Sequence, residues 1–449
     1  MRDIDIFNYL KRVVFMFSKI VFPETANSNP NGELELGGCK ISSLVERFGT
    51  PLYVLDQRTV ESKCEEFINS FTKLHDNTEV VYASKAYINP TLAKLIASKG
   101  MGFDVVSGGE VAIIAASGVD ASKVYFHGNN KTEEELKYAI EIGIGRIVVD
   151  SFHELSLLNT IAKELKIKQD ILIRISPAID PHTHVYTTTG ILDSKFGFAI
   201  DTGDAESAIK QALTASNLTL KGVHFHLGSP IFEIEPYEVA IDLVIKFVNK
   251  FKSEGFDLDE FSPGGGFAIA YTANDQPPAI KDYAAGIVSA MKKTCSELNI
   301  NLPKLIIEPG RSIIGPAGVA VYRVGAIKDI PGVRKYVSVD GGMGDNIRPA
   351  LYESEYEVVS ACKLNEENSD LVTIAGKYCE SGDLLAKDVL IPNPESGDII
   401  AIPAAGAYCP SMSSNYNMNP RPPIVLVNDG EARVIRRRET YQDLMMFDQ

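Results

Sequence analysis

The sequence predicts an α/β protein: a parallel (β/α)8 barrel of the TIM type, followed by an antiparallel β domain that an N-terminal segment joins. Three observations predict it. Short apolar runs alternate with helical patterns eight times between residues 61 and 311. The ends of those runs are polar or glycine-rich, and beyond residue 312 helical periodicity gives way to β-rich segments with frequent Gly and Pro.

Residues 1–32 read as an N-terminal extension. Within it, 13–22 is apolar but broken by Lys19, too short to span a bilayer and without a small-residue cleavage site, so it reads as amphipathic. Residues 24–32 are polar, with Asn and Pro. Residues 33–60 include the strand-like Pro51-Leu52-Tyr53-Val54-Leu55, which has no place among eight barrel units and is assigned to the β domain. The barrel, 61–311, takes its strands from 80–86, 102–107, 123–128, 146–151, 170–177, 220–229, 260–267 and 304–311. Helical spacing of apolar residues fills 89–99, 131–142, 153–165 and 236–251 between them. The β domain, 312–449, is read from 317–327, 336–340, 371–376, 398–402 and 424–427.

With 449 residues, 45% hydrophobic and 23% charged, the chain has ordinary globular composition and length for more than one domain. A net charge of -15 disfavours nonspecific binding to nucleic acid or to an anionic membrane, and neither partner is expected. The one basic cluster, Arg436-Arg437-Arg438, reads as a solvated strand end. The six cysteines, Cys39, Cys64, Cys295, Cys362, Cys379 and Cys409, are scattered without a Cys-x-x-Cys pair, which points to a reducing compartment. Asp3 and Asp5 argue against a transit peptide, so a cytoplasmic location is expected. His182 and His184 form a His-x-His pair without a third ligand at metal spacing, and no metal site is expected.

Chemistry in a parallel barrel collects at the C-terminal ends of the strands. Here those ends carry Lys85, Asp104, Ser107-Gly108-Gly109-Glu110, His127-Gly128-Asn129-Asn130, Asp150, Arg174, His226-Leu227-Gly228-Ser229, Gly264-Gly265-Gly266 and Glu308-Pro309-Gly310-Arg311. Turn formers and helix caps account for the small residues, but not for the lysine, histidine, glutamate and arginines together. Lys85 ends a run that reads as a buried strand. Burial lowers an amine's pKa and leaves the free nucleophile that forms a Schiff base with a carbonyl substrate or with pyridoxal phosphate; the plainer alternative is a strand-end lysine that snorkels to solvent or pairs with a carboxylate. Gly264, Gly265 and Gly266 lack side chains, so their backbone N–H groups can approach a phosphate or simply make a turn, and Ser229 and Arg311 can add a hydroxyl and a charge. Glu308 can pair with a protonated pyridine nitrogen while His226 packs on the ring face; the alternative for Glu308 is an ion pair with Arg311 or Arg174.

These residues and the motifs around them resemble the group III, alanine-racemase-like pyridoxal-phosphate decarboxylases. The resemblance covers nearly everything from residue 35 onward. In the barrel it rests on Tyr82-Ala83-Ser84-Lys85-Ala86, His182-Thr183-His184 with Thr189-Gly190, Lys195-Phe196-Gly197, His226-Leu227-Gly228-Ser229, Gly264-Gly265-Gly266-Phe267 and Glu308-Pro309-Gly310-Arg311-Ser312. In the second domain it rests on Asp340-Gly341-Gly342-Met343, Arg348-Pro349-Ala350-Leu351-Tyr352, Cys379-Glu380-Ser381-Gly382-Asp383, Gly406-Ala407-Tyr408, Ser411-Met412 and Asn415-Tyr416-Asn417. The resemblance implies that Lys85 carries pyridoxal 5'-phosphate, that Ser229 and Gly264, Gly265 and Gly266 hold its phosphate with Arg311 nearby, that Glu308 contacts the pyridine nitrogen, that His226 stacks on the ring and that Tyr408 adds a contact. It further implies that Arg311, Arg348 and Tyr352 bind a carboxylate at the substrate's distal end, and Glu380 the distal ammonium, with Tyr408 close by. A head-to-tail homodimer with two shared active sites is implied too, the Cys379 segment reaching the neighbouring barrel. Gly344-Asp345-Asn346 lies where related enzymes vary in substrate preference, and the N-terminal extension has no family role.

The function expected from this resemblance is decarboxylation of meso-2,6-diaminopimelate at its D centre to L-lysine and carbon dioxide, the last step of lysine biosynthesis. Lys85, His226 and Cys379 are the catalytic candidates, with Cys379 returning a proton to the reacting carbon. A decarboxylase of the same fold acting on ornithine, lysine or arginine has no use for Arg348, whose charge repels a distal cation. A racemase needs a tyrosine where Cys379-Glu380 stand, and a non-catalytic regulator has no need to keep Lys85, Glu308 and Cys379 together.

Overall fold

The computed structural model describes residues 18–179 and 194–449. Two compact units make up the chain. One takes the residues up to Val60, the excursion Ile269–Asp275 and everything from Ile314 on; the other takes Glu61–Ala268 and Gln276–Ile313. That excursion interrupts the stretch 61–311, which the sequence predicts as one unbroken barrel.

The second unit is a closed barrel of eight parallel strands: Thr78–Ala83, Gly102–Val105, Val124–Phe126, Arg146–Val149, Gln169–Ser176, Leu218–His224, Glu260–Ser262 and Lys304–Ile307. Each pairs with the next, and the last pairs back on the first through Leu305 and Thr78. The same residues that stop a strand start the following helix. Ser107 accepts from Glu110 N, Ser151 from Glu154 N and Asn89 from Leu92 N, while Thr132 and Glu135 form a reciprocal capping box. Val81, Tyr125, Val148, Leu172 and Ile306 form a buried cluster of residues from the barrel strands.

Near one end of the barrel the interior is polar rather than apolar. Arg146 donates to Glu260 with Nε and Nη2, at 2.8 and 2.7 Å, and lies 3.2 Å from Asp170. Lys304 pairs with Glu79, which also accepts from the Tyr125 hydroxyl at 2.8 Å. A bidentate arginine is the geometry in which a buried ion pair offsets its own desolvation.

In the first unit, Asn27–Ser28, Leu34–Leu36 and Cys39–Lys40 make a small antiparallel sheet. A nine-stranded sheet runs Leu384–Ile391, Asp370–Ala375, Arg334–Val339, Gly318–Ile330, Leu52–Asp56, Ile424–Asn428, Glu431–Arg436, with Ile399–Ile402 and Val359–Ser360 branching from Gly318–Ile330. It is mixed and not purely antiparallel as expected, because Leu52–Asp56 runs parallel to Ile424–Asn428 and Arg334–Val339 runs parallel to Asp370–Ala375. Leu52–Asp56 comes from far away in the chain and lies between two strands, so no hairpin dictates its direction. Alternation along it sorts the layers. Leu52 and Val54, with Val319, Val321, Val425 and Val427, join one apolar core, each buried side chain contributing about 1.5–3 kcal/mol. Tyr53, one residue out of phase, donates its hydroxyl to Asp345 O at 2.7 Å and anchors the segment that leads to Arg348.

Val21, Phe22 and Ala26 belong to that same core, so the fold takes in part of the segment assigned to the N-terminal extension; residues 13–17 of the apolar run lie outside the described residues. The basic cluster is tied down: Arg437 pairs with Asp443, and Arg438 donates to the carbonyls of Phe48 and Pro51. All six cysteines are free thiols, with Cys362 and Cys379 exposed. Among the described residues no helix is long and apolar enough to cross a membrane.

Glu260→Ala leaves Arg146 with Asp170 as its one remaining carboxylate partner among the described residues and is expected to destabilise the barrel by about 2–4 kcal/mol, somewhat under the cost of breaking a fully buried pair. Chemical denaturation followed by intrinsic fluorescence checks this; an unchanged midpoint would mean that the pair contributes nothing to stability.

Candidate active site

The barrel strands deliver a dense cluster of buried charge. Glu308, following Lys304–Ile307, accepts from Ser262 Oγ at 2.7 Å through Oε1 and meets His224 Nε2 at 3.2 Å through Oε2; His127 Nε2 lies 3.5 Å from Oε1 and 3.8 Å from Asp104. The His127 and His224 rings cross edge to face at 4.7 Å. Burial pushes the Asp104 carboxyl well above the usual range and both imidazoles well below theirs, while Glu110, which accepts from Val106 N, is pushed up to about 7 by its own burial. The Lys85 charge opposes the rise at Asp104 and Glu110 and adds to the fall at both histidines and at His226. His226 is held by Gly265 N, which donates to Nδ1 at 3.3 Å, and burial lowers its pKa.

Lys85 itself corrects the sequence reading. The strand stops at Ala83; Lys85 sits in the turn Ser84–Ala86 and is exposed. Its place beside the buried acids and imidazoles is what sets it apart. Glu308 likewise pairs with neither Arg311 nor Arg174. Arg311 donates to Ser229 Oγ at 3.1 Å, and Arg174 lies 3.6 Å from Asp150. Asp150 in turn accepts from Gly197 N at 2.8 Å, and Arg174 packs 4.4 Å over the Phe196 ring, which holds the Lys195-Phe196-Gly197 motif to the barrel. Lys131 secures this rim from behind, donating to Gly128 O, Val148 O and Glu154, whose second oxygen accepts from Asp150 N.

The cluster fits pyridoxal phosphate on two observations. Ser84 Oγ, Asp104 Oδ1, His127 Nε2 and His224 Nδ1 are buried polar atoms with no hydrogen-bond partner among the described residues, a state that a polar ligand relieves. The three glycines make a close-packed cradle: Gly264 and Gly266 have φ of 76 and 108, and a Cβ on Gly265 would stand 2.1 Å from Glu308 O. Lys85, His226, Ser229, Glu308 and Arg311 thus come together with the glycines in one unit.

Arg348, Tyr352 and Tyr408 come together in the other. Arg348 is 5% exposed. Its Nε donates to the Tyr356 hydroxyl at 2.9 Å and its Nη2 to Ser354 at 3.2 Å, and its guanidinium lies 5.3, 5.4 and 5.8 Å from the rings of Tyr352, Tyr271 and Tyr408. The Tyr356 hydroxyl also meets Cys409 Sγ at 3.5 Å. Cys379 and Glu380 stand on an exposed loop, where Glu380 contacts Ser381 and Gly382 and forms no ion pair with Arg348. His182, His184, Thr189 and Gly190 lie outside the described residues.

Sequence reasoning missed the residues that hold the site residues in place. His224 and Ser262 hold Glu308; Tyr356, Ser354 and Tyr271 hold Arg348. A signal existed for His224, which stands two residues before His226 and so shares its face of an extended chain. Tyr356 and Tyr271 carried none, because Tyr271 reaches the cage from a segment 77 positions away.

Residues 57–315 match the family described as pyridoxal-dependent decarboxylase, pyridoxal binding domain. The chain is 44% identical over 425 residues to the diaminopimelate decarboxylase of Bacillus subtilis, covering 94% of this chain and 97% of that one. It is 45% identical over 437 residues to that of Synechocystis, covering 95% and 92%. The crystal structure of diaminopimelate decarboxylase from M. jannaschii in co-complex with L-lysine superposes with a TM-score of 0.90 at 38% identity, covering 97% and 99%. A lysine/ornithine decarboxylase from Vibrio vulnificus, 24% identical at a TM-score of 0.73, shares the fold. With its barrel, its cradle and these relatives, the chain belongs to the diaminopimelate decarboxylase family of pyridoxal-dependent decarboxylases.

Proposed function

We propose that this protein decarboxylates meso-2,6-diaminopimelate at its D centre, releasing carbon dioxide and L-lysine, as the last step of lysine biosynthesis. The observation that carries the reading is Arg348. A buried guanidinium without a carboxylate partner among the described residues is a strong demand for an anion, and here two hydroxyls and three aromatic rings hold it in place without neutralising it. A substrate with a second carboxylate meets that demand; ornithine, lysine and arginine do not.

Pyridoxal phosphate, when bound, supplies an electron sink for the pair left behind by carbon dioxide. This chain's residues hold, aim and protonate. Lys85 offers the primary amine that binds the cofactor's aldehyde. Gly264, Gly265, Gly266, Ser229 and Arg311 would hold its phosphate, Glu308 would serve the ring nitrogen, His226 would pack on the ring, and Tyr408 would add a contact. Arg348 and Tyr352, with Arg311, take the distal carboxylate, and Glu380 takes the distal ammonium. Cys379 returns the proton to the carbon that lost its carboxylate.

Cys379 and Glu380 are exposed on a loop, and Glu380 makes no ion pair with Arg348, which supports an assembly in which a second copy receives them: a homodimer with shared active sites. Free thiols throughout the chain support a cytoplasmic location.

Arg348→Ala is expected to lower kcat/KM for meso-diaminopimelate by about 10²-fold or more, largely through KM, with the visible absorbance of the bound cofactor unchanged. Turnover of L-lysine or L-ornithine, if any is measurable, falls far less. An equal loss on both substrate types would remove the distal carboxylate from the role of Arg348. Cys379→Ala is expected to lower kcat by about 10²–10⁴-fold while KM stays near the parent value. A parent kcat with a raised KM would assign the thiol to binding instead.

A further inference from the structure

The loop that carries Cys379 and Glu380 is tied to the segment leading into Arg348 by one buried side chain. Asp383 is 3% exposed. Its Oδ1 accepts from Met343 N at 2.6 Å and its Oδ2 from Tyr378 N at 2.8 Å. Backbone bonds surround the junction: Lys377 N donates to Gly341 O, Gly376 N to Asp383 O, and Asp383 N to Glu380 O, at 2.9, 2.9 and 3.1 Å. The carboxylate packs so tightly that a Cβ on Gly342, at φ 153, would stand 2.4 Å from Oδ1, and one on Gly376 2.1 Å from Oδ2. The loop has a second support. Cys379 N donates to the side-chain oxygen of Asn417 at 2.8 Å, and Asn417 is an exposed residue with φ 50.

We propose that Asp383 and Asn417 are positioning residues for the reaction. Asp383 clasps the Cys379-Glu380 loop to the Arg348 segment, and Asn417 fixes the Cys379 backbone. The inference rests on the roles given above to Arg348, Glu380 and Cys379. A carboxylate accepts at both oxygens, whereas an amide in its place turns a donor toward one of the two N–H groups and breaks the clasp on that side. A proton donor and a carboxylate clamp both need accurate placement, and a displacement of about 1 Å costs on the order of 10²-fold in rate.

The test uses cofactor-loaded enzyme carrying Asp383→Asn, Asn417→Gly, Asn417→Asp or Cys379→Ala. Kinetics on meso-diaminopimelate are read beside peptide-level hydrogen exchange and the cofactor's absorbance. Asp383→Asn is expected to speed exchange in the peptides holding Met343 and Tyr378, to lower kcat by about 10–10²-fold and to raise KM, because both loops loosen. Asn417→Gly suits the positive φ and changes an exposed side chain, so it folds even if Asp383→Asn does not. It is expected to speed exchange around Cys379 alone and to lower kcat with KM unchanged, while Asn417→Asp keeps the acceptor and restores the parent values. A merely structural role lowers the melting temperature without separating kcat from KM. Parent exchange rates in Asp383→Asn and Asn417→Gly, or parent kcat and KM despite faster exchange, overturn the assignment. Parent turnover by Cys379→Ala refutes the reading of that thiol by itself, and the exchange rates with KM in Asp383→Asn then decide the clasp.

Discussion

Charge taken out of water has to be met by opposite charge or by hydrogen bonds, and this constraint orders both units of the protein. In the barrel it is met at one place after another: Arg146 by Glu260, Lys131 by Glu154 and two carbonyls, Glu308 by Ser262 and His224. Where it is not met, a ligand is called for. Among the described residues, the buried atoms of Ser84, Asp104, His127 and His224 lack hydrogen-bond partners beside the glycine cradle, and no carboxylate meets Arg348 inside its tyrosine cage. The two unmet demands have different chemistry, one for a polar ring with a phosphate, the other for a carboxylate.

Topology explains why the first demand is concentrated. Eight parallel strands that close through Leu305 and Thr78 send all their C-terminal ends to one rim. Apolar side chains from five of them, Val81, Tyr125, Val148, Leu172 and Ile306, fill the interior, so polar groups of the next residues along are carried to the mouth. The second demand depends on a different device. Tyr53, on a central strand of the mixed sheet, holds the Asp345 carbonyl, and Asp383 holds Met343, so the short helix Arg348–Tyr352 starts from a segment fixed at two points.

The barrel and most of its mouth were legible in the sequence because they obey local rules. Strand-end glycines, caps and charged residues recur at the spacing of βα units, and the eight strands stand where that spacing puts them. Lys85 was identified for a reason the structure does not support: the strand ends at Ala83, and a turn carries the lysine to the exposed surface. Periodicity marks where an apolar run stops, not where pairing stops. The direction of Leu52–Asp56 and the Tyr271 side of the Arg348 cage were illegible because each depends on partners far away in the chain, for which one sequence gives no register. The supports of Glu308 were half legible, through the His224 and His226 alternation. Those of Arg348 were hidden, since a tyrosine in a core and a tyrosine around a guanidinium look alike in sequence.

The role proposed for the Arg348 guanidinium is to select a substrate with a carboxylate at each end. The most direct measurement is to incubate the cofactor-loaded protein with meso-diaminopimelate and, separately, with L-lysine, L-ornithine, L-arginine and their D forms, following carbon dioxide and the amine product. L-lysine and carbon dioxide in equal amounts are expected from diaminopimelate, with no release from the others; cadaverine, putrescine or agmatine from a monocarboxylic substrate, with diaminopimelate untouched, would rule that role out.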